Sequence, residues 1–323
     1  MKKIDEILTK NVKTIAIVGH TRPDGDCVGT CMGLYNYLAD NYSLDVDIYL
    51  EDFLPSLRFM RYSQDINGNE DSGKKYDLLI ALDCSEEGRM GKGKEYFSTA
   101  LKTVCIDHHI SNPGFAHINH IDSAACAAGQ VLYELLDPKK VGKETAECLY
   151  TAIIHDSGVF QYSSVSPRTM EIAGQLMEKG IDFSSIVTKT FYEKSYHRNQ
   201  ILGRALLESI RVMHGKCIFS VISAANMEFY RVTPKDLDGI VEALRSTEGV
   251  EVAIFLYETA SQEYKVSLRS KDMVDVSTIA AYYGGGGHIK AAGGTTRGSV
   301  HDVINNLTGR IGQQLKKARL YLP

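Results

Sequence analysis

TIAIV, residues 14–18, is a continuous apolar run that ends at Gly19 and His20. A short run of this kind is typical of a strand buried on both faces of a parallel sheet. Residues 26–39 follow with apolar side chains at helical spacing, and Asp26 is placed to cap that helix. Further strands are predicted at 46–50, 77–82 and 102–106, and further helices at 127–136, 143–155 and 167–179. The alternation predicts an α/β fold with a doubly wound, mainly parallel sheet.

Polar side chains follow three of these strands. Residues 14–18 are followed by His20, Asp24 and Asp26, residues 77–82 by Asp83, and residues 102–106 by Asp107, His108 and His109. Ligands of open α/β sheets bind at the carboxyl ends of the strands, so we expect these side chains at one edge. Asp156 ends a predicted helix that can bring it to the same edge. Carboxylates mixed with imidazoles suit a pair of Mn²⁺ or Mg²⁺ ions, and such pairs perform phosphoryl chemistry.

Each of these residues also has an ordinary structural explanation. An Asp directly after a strand is often a helix cap, and a histidine pair beside a helix is often satisfied by hydrogen bonds. Asp156 is harder to explain in this way, because it lies among apolar residues and a buried carboxylate must be paired or bind a metal. The presence of all four groups in this order favours a metal centre.

A second, smaller α/β unit is predicted for residues 206–323, with residues 191–205 as the linker. Its glycine run, residues 284–287, precedes His288 and has no Lys-Ser or Lys-Thr after it, so it is not a P-loop. Two explanations stay open for the run. It is a flexible hinge, or its backbone N–H groups approach a phosphate with help from His288 and the amino end of a following helix. Arg269 ends a predicted strand. It is either an ordinary surface residue or a bidentate phosphate ligand.

The charge differs between the two units. The chain of 323 residues has a net charge of −4, with −8 over residues 1–190 and +4 over residues 191–323. The small total gives no indication of a surface for duplex DNA. An acidic half that takes divalent cations and a mildly basic half that takes phosphates together suit a small anionic substrate.

The cysteines and the hydropathy pattern lead us to expect a cytoplasmic protein. Seven cysteines, without a CxxC pair, lie mostly in apolar segments and are expected to be reduced thiols. The first residues lack the apolar core of a signal peptide, and no stretch approaches the length of a membrane span. We therefore expect no membrane partner, and the pattern leaves open whether the chain forms a homodimer.

The motifs together resemble those of the DHH phosphoesterase family, in the subgroup that carries a second domain of the DHHA1 type. The resemblance covers almost the whole chain. It rests on residues 20–29, 81–83, 106–112, 155–158, 267–270 and 284–294. It implies a DHH catalytic domain at 1–190, a DHHA1 substrate-binding domain at 206–323, and an active site in the cleft between the domains.

The resemblance also assigns roles to residues. One metal ion would be held by His20, Asp24 and Asp83, and the other by Asp26, Asp83, His108 and Asp156, so that Asp83 bridges the two. His109 would face the scissile phosphate, and Asp107 would orient the histidines. In the second domain, the far end of the nucleotide would be held by Arg269, Ser270, Gly285, Gly286, Gly287 and His288. Many relatives are expected to have hydroxyl and Glu side chains where this chain has Ala127, Ala128 and Gln130, so the residues that support the ligands should differ here.

The activity implied by the resemblance is that of an exoribonuclease and bisphosphate nucleotidase. Such an enzyme hydrolyses short oligoribonucleotides (nanoRNA) to mononucleotides and 3′-phosphoadenosine 5′-phosphate (pAp) to AMP, with two divalent ions, of which Mn²⁺ fits best and Mg²⁺ is the alternative. Two other functions stay open. One is a phosphodiesterase for pApA or cyclic di-AMP, and the other is a nucleotide-sensing binding protein without catalysis.

Overall fold

The computed structural model describes residues 3–8, 10–67, 73–91 and 93–319. The chain forms two compact units, Met1–Glu193 and Lys194–Pro323. Each unit has its own sheet and its own hydrophobic core. Among the helices in the described ranges, none has the length and apolar character that a membrane span requires.

The first unit alternates strands and helices as predicted. Its strands are β1 (Thr14–Val18), β2 (Asp45–Tyr49), β3 (Leu78–Leu82), β4 (Thr103–Asp107) and β5 (Ile118–Ile121). Its α-helices are α1 (Ile4–Ile7), α2 (Gly25–Asn41), α3 (Gly93–Thr99), α4 (Ala128–Leu135), α5 (Lys143–Asp156), α6 (Pro167–Met177) and α7 (Phe183–Val187). Every element predicted before residue 180 is present within two residues of its expected ends. Strand β5 was not predicted, because Asn119 and His120 interrupt its short apolar pattern.

The five strands form a fully parallel sheet in the order β2-β1-β3-β4-β5. The chain leaves β1 towards β2 and then crosses back to place β3 on the other side of β1. In doubly wound sheets this reversal opens a crevice beyond the carboxyl ends of the two central strands. His20 follows β1 and Asp83 follows β3, so both lie at the reversal point.

Side chains of β1 point alternately to two cores, one on each face of the sheet. Ile15 and Ile17 belong to the larger core, which contains residues of α2, α4 and α5. Ala16 and Val18 belong to a smaller core, which contains Tyr96 of α3. All four are fully buried, as expected for a central strand with helices on both faces. The prediction of a doubly wound sheet is therefore confirmed.

The second unit contains a mixed six-stranded sheet in the order β10-β11-β9-β8-β7-β6, in which β7 and β8 are parallel and the other pairs antiparallel. Its strands are β6 (Ile210–Val212), β7 (Cys217–Ile222), β8 (Val252–Ala260), β9 (Glu263–Ser270), β10 (Gly286–His288) and β11 (Ala291–Arg297). Its α-helices are α8 (Tyr196–Leu207), α9 (Ala224–Tyr230), α10 (Ile240–Arg245), α11 (Val276–Tyr282) and α12 (Val300–Arg319). Helices α11 and α12 share one core with the sheet, and α8 and α10 share another.

Helix α8 occupies most of the segment 191–205, for which the sequence predicted a linker. Its Ile201 and Ala205 are buried in the core that contains α10. The helix continues to Leu207, two residues into the predicted second unit, and the first strand of that unit begins at Ile210. Apolar residues at helical spacing therefore pack α8 onto the second unit.

His120 on β5 is a buried histidine that is not one of the predicted site residues. Its side chain is 5% exposed, and neither ring nitrogen has a hydrogen-bond partner within the described ranges. Burial lowers the pKa of His120, whereas the unfolded chain protonates it below about 6.5. The neutral ring therefore contributes stability that is present above that pH and is lost as the pH falls through it.

We expect His120→Phe to lose less free energy of unfolding than the wild type when the pH falls from about 7.5 to about 5.5, the range in which an ordinary histidine titrates. Urea unfolding of the metal-free protein measures this difference. His197→Phe, at an exposed position, is the control and should keep the wild-type slope. A wild-type slope in His120→Phe as well would contradict a neutral His120 in the folded state.

Candidate metal centre

The loop between β1 and α2 carries His20 and Asp24. The Asp24 carboxylate caps α2 by accepting the backbone N–H groups of Asp26 and Cys27, each at 3.1 Å. The prediction of Asp26 as the cap was wrong, because Asp26 lies within the first turn of the helix. His20 Nδ1 lies 2.8 Å from the Thr21 carbonyl oxygen, a hydrogen bond that orients the ring and leaves Nε2 as the atom available to a cation.

Asp26 is 1% exposed and is fixed by three hydrogen bonds. Its Oδ2 accepts the N–H of Ala128 at 2.6 Å, and its Oδ1 accepts the N–H of Gly129 at 3.0 Å and the hydroxyl of Thr30 at 2.9 Å. The two N–H groups belong to the first turn of α4, whose amino end favours a negative charge. Two backbone groups and one hydroxyl thus hold Asp26, and Ala128, where many relatives are expected to have a larger polar side chain, contributes only its N–H. The neighbouring Gln130 Oε1 accepts the Thr169 hydroxyl at 2.8 Å.

Asp83 lies between the other site residues. Its backbone is left-handed, with φ of 54°, a conformation that is uncommon outside glycine and is tolerated best by Asn and Asp. Its Oδ2 lies 3.4 Å from His20 Nε2, whereas its Oδ1 lies 3.7 Å from His108 Nε2 and 3.6 Å from His109 Nδ1. Oδ1 is buried and has no hydrogen-bond partner in the part of the chain that the structure describes. The two oxygens of one carboxylate therefore face two different groups of imidazoles.

His108 brings the remaining carboxylates to the same place. Its Nε2 lies 3.7 Å from Asp26 Oδ2 and 3.4 Å from Asp156 Oδ2. Its Nδ1 lies 3.3 Å from the Ala125 carbonyl oxygen, which orients the ring. Asp156 is the last residue of α5 and its side chain is 37% exposed, so this side of the site is open to solvent.

Asp107 is fully buried behind His109. Its Oδ1 accepts His109 Nδ1 at 2.8 Å, and its Oδ2 accepts the Asn112 side-chain amide at 2.6 Å. The same amide donates to the Cys84 carbonyl oxygen at 2.9 Å. The His109 side chain remains 41% exposed. Asn112 belongs to the motif at residues 106–112, but sequence reasoning assigned it no role, since nothing in the sequence shows which group an asparagine in a loop contacts.

Burial and mutual repulsion alter the pKa values of the carboxylates. Burial, with repulsion from Asp83 and Asp156, raises the pKa of Asp26 well above its usual value. Burial also raises the pKa of Asp83, and it raises that of Asp156 to about 6. Burial acts in the same direction on Asp107, yet the hydrogen bonds from His109 and Asn112 lower its pKa. The raised values reflect several carboxylates buried close together, an arrangement that the charge of a divalent cation stabilises.

Potential ligand atoms lie close together in three overlapping groups. Within each group the atoms are no more than 4.8 Å apart, and the groups are His20, Cys27 and Asp83; Asp83, His108 and His109; and Asp26, His108 and Asp156. Carboxylate and imidazole donors in this number fit hard divalent cations. Cys27 was not predicted near the site. Its sulfur accepts the His20 backbone N–H at 3.2 Å, so both ends of this contact lie within the motif at residues 20–29, although the motif assigned Cys27 no role.

For the hydrolysis that the resemblance implies, Asp107→Asn should lower the rate about 10- to 100-fold while the content of bound metal stays unchanged, because the amide no longer fixes the His109 ring. Initial rates and elemental analysis of the same samples measure the two quantities. Asp122→Asn is the matched control, since the Asp122 side chain accepts the Ala124 N–H at 3.0 Å and an amide oxygen does the same. Equal rates for both variants would show that Asp107 does not position His109.

The predicted substrate-binding residues all belong to the second unit. Arg269 is the residue before the end of β9, and its Nε donates to Glu242 Oε1 at 2.8 Å. Ser270 is fully buried, with its hydroxyl 3.4 Å from the Ile289 carbonyl oxygen. Gly286, Gly287 and His288 form the exposed edge strand β10.

The glycine run is needed for a close approach of two backbones. A Cβ on Gly287 would lie 2.5 Å from the Ala291 carbonyl oxygen of β11, nearer than any real Cβ atom. The element after His288 is β11, which pairs with β9. The expectation that the amino end of a following helix assists the glycine run was therefore wrong.

Comparisons with known proteins agree with this architecture. Residues 14–153 match the family model "DHH family, N-terminal domain", and residues 215–317 match the "DHHA1 domain". The "bifunctional oligoribonuclease and PAP phosphatase NrnA" of Thermus thermophilus is 30% identical over 303 residues, which are 92% of this chain and 89% of that protein. The chain belongs to the DHH family. Its second domain is a DHHA1 domain, so the resemblance noted from the motifs is confirmed.

Two further relatives extend the likeness. The NrnA protein of Bacillus subtilis is 26% identical over 285 residues, which are 87% of this chain and 88% of that protein. The crystal structure of an exopolyphosphatase-related protein from Bacteroides fragilis matches with a TM-score of 0.86 and 25% identity, over 96% of this chain and 94% of that one. Phosphoesterases of the DHH family are metal-dependent hydrolases, in agreement with the groups of carboxylates and imidazoles described above.

Proposed function

We propose that this DHH protein hydrolyses short oligoribonucleotides to mononucleotides and pAp to AMP. It would use two divalent metal ions, with Mn²⁺ preferred to Mg²⁺. The observation that carries the proposal is the buried Asp83 carboxylate, whose Oδ2 faces His20 while its Oδ1, without a hydrogen-bond partner among the described residues, faces His108 and His109. A carboxylate in this position suits a ligand shared by two cations. The names of the NrnA relatives support the choice of substrates.

One ion would be held by His20, Asp24 and Asp83, and the other by Asp26, Asp83, His108 and Asp156. Ions bound in this way lower the pKa of water and neutralise charge on phosphoryl oxygens. The protein's own part is to fix the ligands, through the α4 N–H groups on Asp26 and the Thr21 carbonyl on His20. His109 is held at Nδ1 by Asp107, so its Nε2 is the atom that donates to a phosphoryl oxygen or to the leaving group.

Arg269 and the hairpin of β10 and β11 are proposed to bind nucleotide phosphate. Arg269 uses its Nε on Glu242 and its Nη1 on the Leu268 carbonyl oxygen, which leaves Nη2 as a donor, and residues 286–288 are exposed. Ser270 is buried, so we propose that it acts on this site through Ile289, which its hydroxyl contacts.

A product time course tests the function. The purified chain is incubated with a labelled RNA trimer and with pAp, each with and without Mn²⁺, beside pApA and cyclic di-AMP. We expect mononucleotides and AMP only when Mn²⁺ is present. Faster turnover of pApA or cyclic di-AMP would overturn the substrate assignment and leave the hydrolase in place. Tight pAp binding without any hydrolysis in Mn²⁺ would instead identify a nucleotide sensor.

A further inference from the structure

The surface next to the glycine hairpin of the second unit combines aromatic, amide and guanidinium groups. Tyr282 ends α11, two residues before Gly284. Together with Tyr283 it borders an open depression of about 340 Å³, whose other side is formed by α12 with Asn306 and Arg310 among its residues. A depression of this size is large enough for a small organic ligand. None of these residues belongs to the motifs on which the resemblance rests.

Tyr282 is a large aromatic side chain that remains 64% exposed. The guanidinium carbon of Arg310 lies 3.0 Å from its ring centroid and 5.7 Å from that of Tyr283. The two tyrosine rings are 5.1 Å apart and nearly perpendicular, at 81°. Arg310 thus covers part of one aromatic surface, and the exposed remainder of Tyr282 is available to another flat group.

Arg310 also retains its capacity to bind an anion. Within the described ranges no carboxylate forms an ion pair with its guanidinium. An arginine stacked on an aromatic ring keeps its N–H edges directed outwards, in the geometry that matches a phosphate. The exposed side chains of Asn305 and Asn306 lie one turn earlier on α12 and offer amide donors and acceptors.

We propose that Tyr282, Asn306 and Arg310 form a second nucleotide subsite, in which a base stacks on Tyr282, its edge meets the amide, and Arg310 binds the adjoining phosphate. Single-stranded RNA is recognised by such combinations of aromatic stacking, base-edge hydrogen bonds and arginine. A protein partner fits less well, because the lining is polar apart from the two rings. The inference rests on the proposed function, since it assigns the subsite to a nucleotide beyond the one bound for hydrolysis.

The absence of tryptophan from the chain permits a direct test. Tyr282→Trp introduces a single fluorophore at the subsite, and Phe229→Trp, at a ring that is 78% exposed on α9, is the matched control. Both are made together with Asp83→Asn, so that the RNA is not hydrolysed. We expect an RNA trimer to quench the Tyr282→Trp emission saturably, ribose 5-phosphate to leave it unchanged, and Phe229→Trp to respond to neither. Emission that does not change with the trimer, or equal quenching of both variants, would overturn the subsite.

Kinetics of the otherwise unmodified protein provide a second measurement. Tyr282→Ala should raise KM for the trimer about tenfold, which is the loss typical of one stacked base. The kcat for the trimer, and both KM and kcat for pAp, should stay unchanged. Tyr282→Phe should restore KM, because the ring is retained. An unchanged KM in Tyr282→Ala, with the wild type active, would remove the subsite and leave the proposed function intact. If the wild type hydrolyses nothing, the proposed function fails, and the fluorescence titration still decides whether the subsite binds RNA.

Discussion

Asp83→Asn is expected to lower the hydrolysis of both the RNA trimer and pAp by about 10³-fold or more, because it removes the ligand that we propose both ions share. The amide places an N–H₂ group where one carboxylate oxygen faced His20 or His108. Asparagine is the informative replacement, since it tolerates the left-handed backbone at this position as well as aspartate does. Initial rates at saturating Mn²⁺ and the metal content of the purified protein measure the effect.

The same variant should be more stable than the wild type when metal is absent. The pKa of Asp83 is raised by burial and that of Asp26 by burial and by Asp83, so both ionised groups destabilise the metal-free fold at neutral pH. We expect a higher Tm for metal-free Asp83→Asn and a much smaller rise of Tm on addition of Mn²⁺. Glu86→Gln, an exposed change in the loop after β3, should leave rate and Tm unaltered. Normal turnover in Asp83→Asn would disprove the assignment of Asp83 as the shared ligand.

Much of the first unit could be predicted because its central strands are continuous apolar runs. Residues 14–18, 77–82 and 102–106 admit few other structures, and the polar residue that follows each run must lie near the carboxyl end of its strand. The sequence therefore indicated which side chains meet. Asp156 was predicted for a different reason, because a carboxylate among the buried residues of a helix requires a charged or metal partner.

The supports of the site could not be predicted, because they are mostly backbone groups. Asp26 is held by N–H groups more than a hundred residues away, at Ala128 and Gly129, and no side chain marks them. Tertiary pairing also overrode local preference in the second unit. Ala291 and Ala292 are good helix formers, yet they belong to β11 because they pair with Arg269 and Leu268 of β9.

The contact between α2 and α5 determines the distance between Asp26 and Asp156, since each helix carries one of the two. The helices approach closely at Gly29. A Cβ there would lie 2.6 Å from the Cys148 carbonyl oxygen and 2.8 Å from the Ala152 nitrogen, both of them backbone atoms of α5. Backbone in a buried helix cannot give way as a flexible side chain does, so any larger residue must push the helices apart.

Gly29→Val should therefore cost about 3 kcal/mol or more of unfolding free energy, from overpacking. For a domain of this size the loss corresponds to a fall in Tm of about 6–12 °C.

We also expect the affinity for Mn²⁺ to fall about tenfold or more in Gly29→Val, because separating the helices moves Asp26 away from Asp156. Changes to residues that support metal ligands have effects of this size. Gly174→Val is the matched control: Gly174 also lies within a helix, α6, and a Cβ there meets nothing within 4 Å. It should stay within about 0.5 kcal/mol of the wild type. Thermal unfolding and Mn²⁺ titration of both variants decide the matter, and equal Tm values would show that the approach of α2 to α5 at Gly29 does not set the spacing of the two carboxylates.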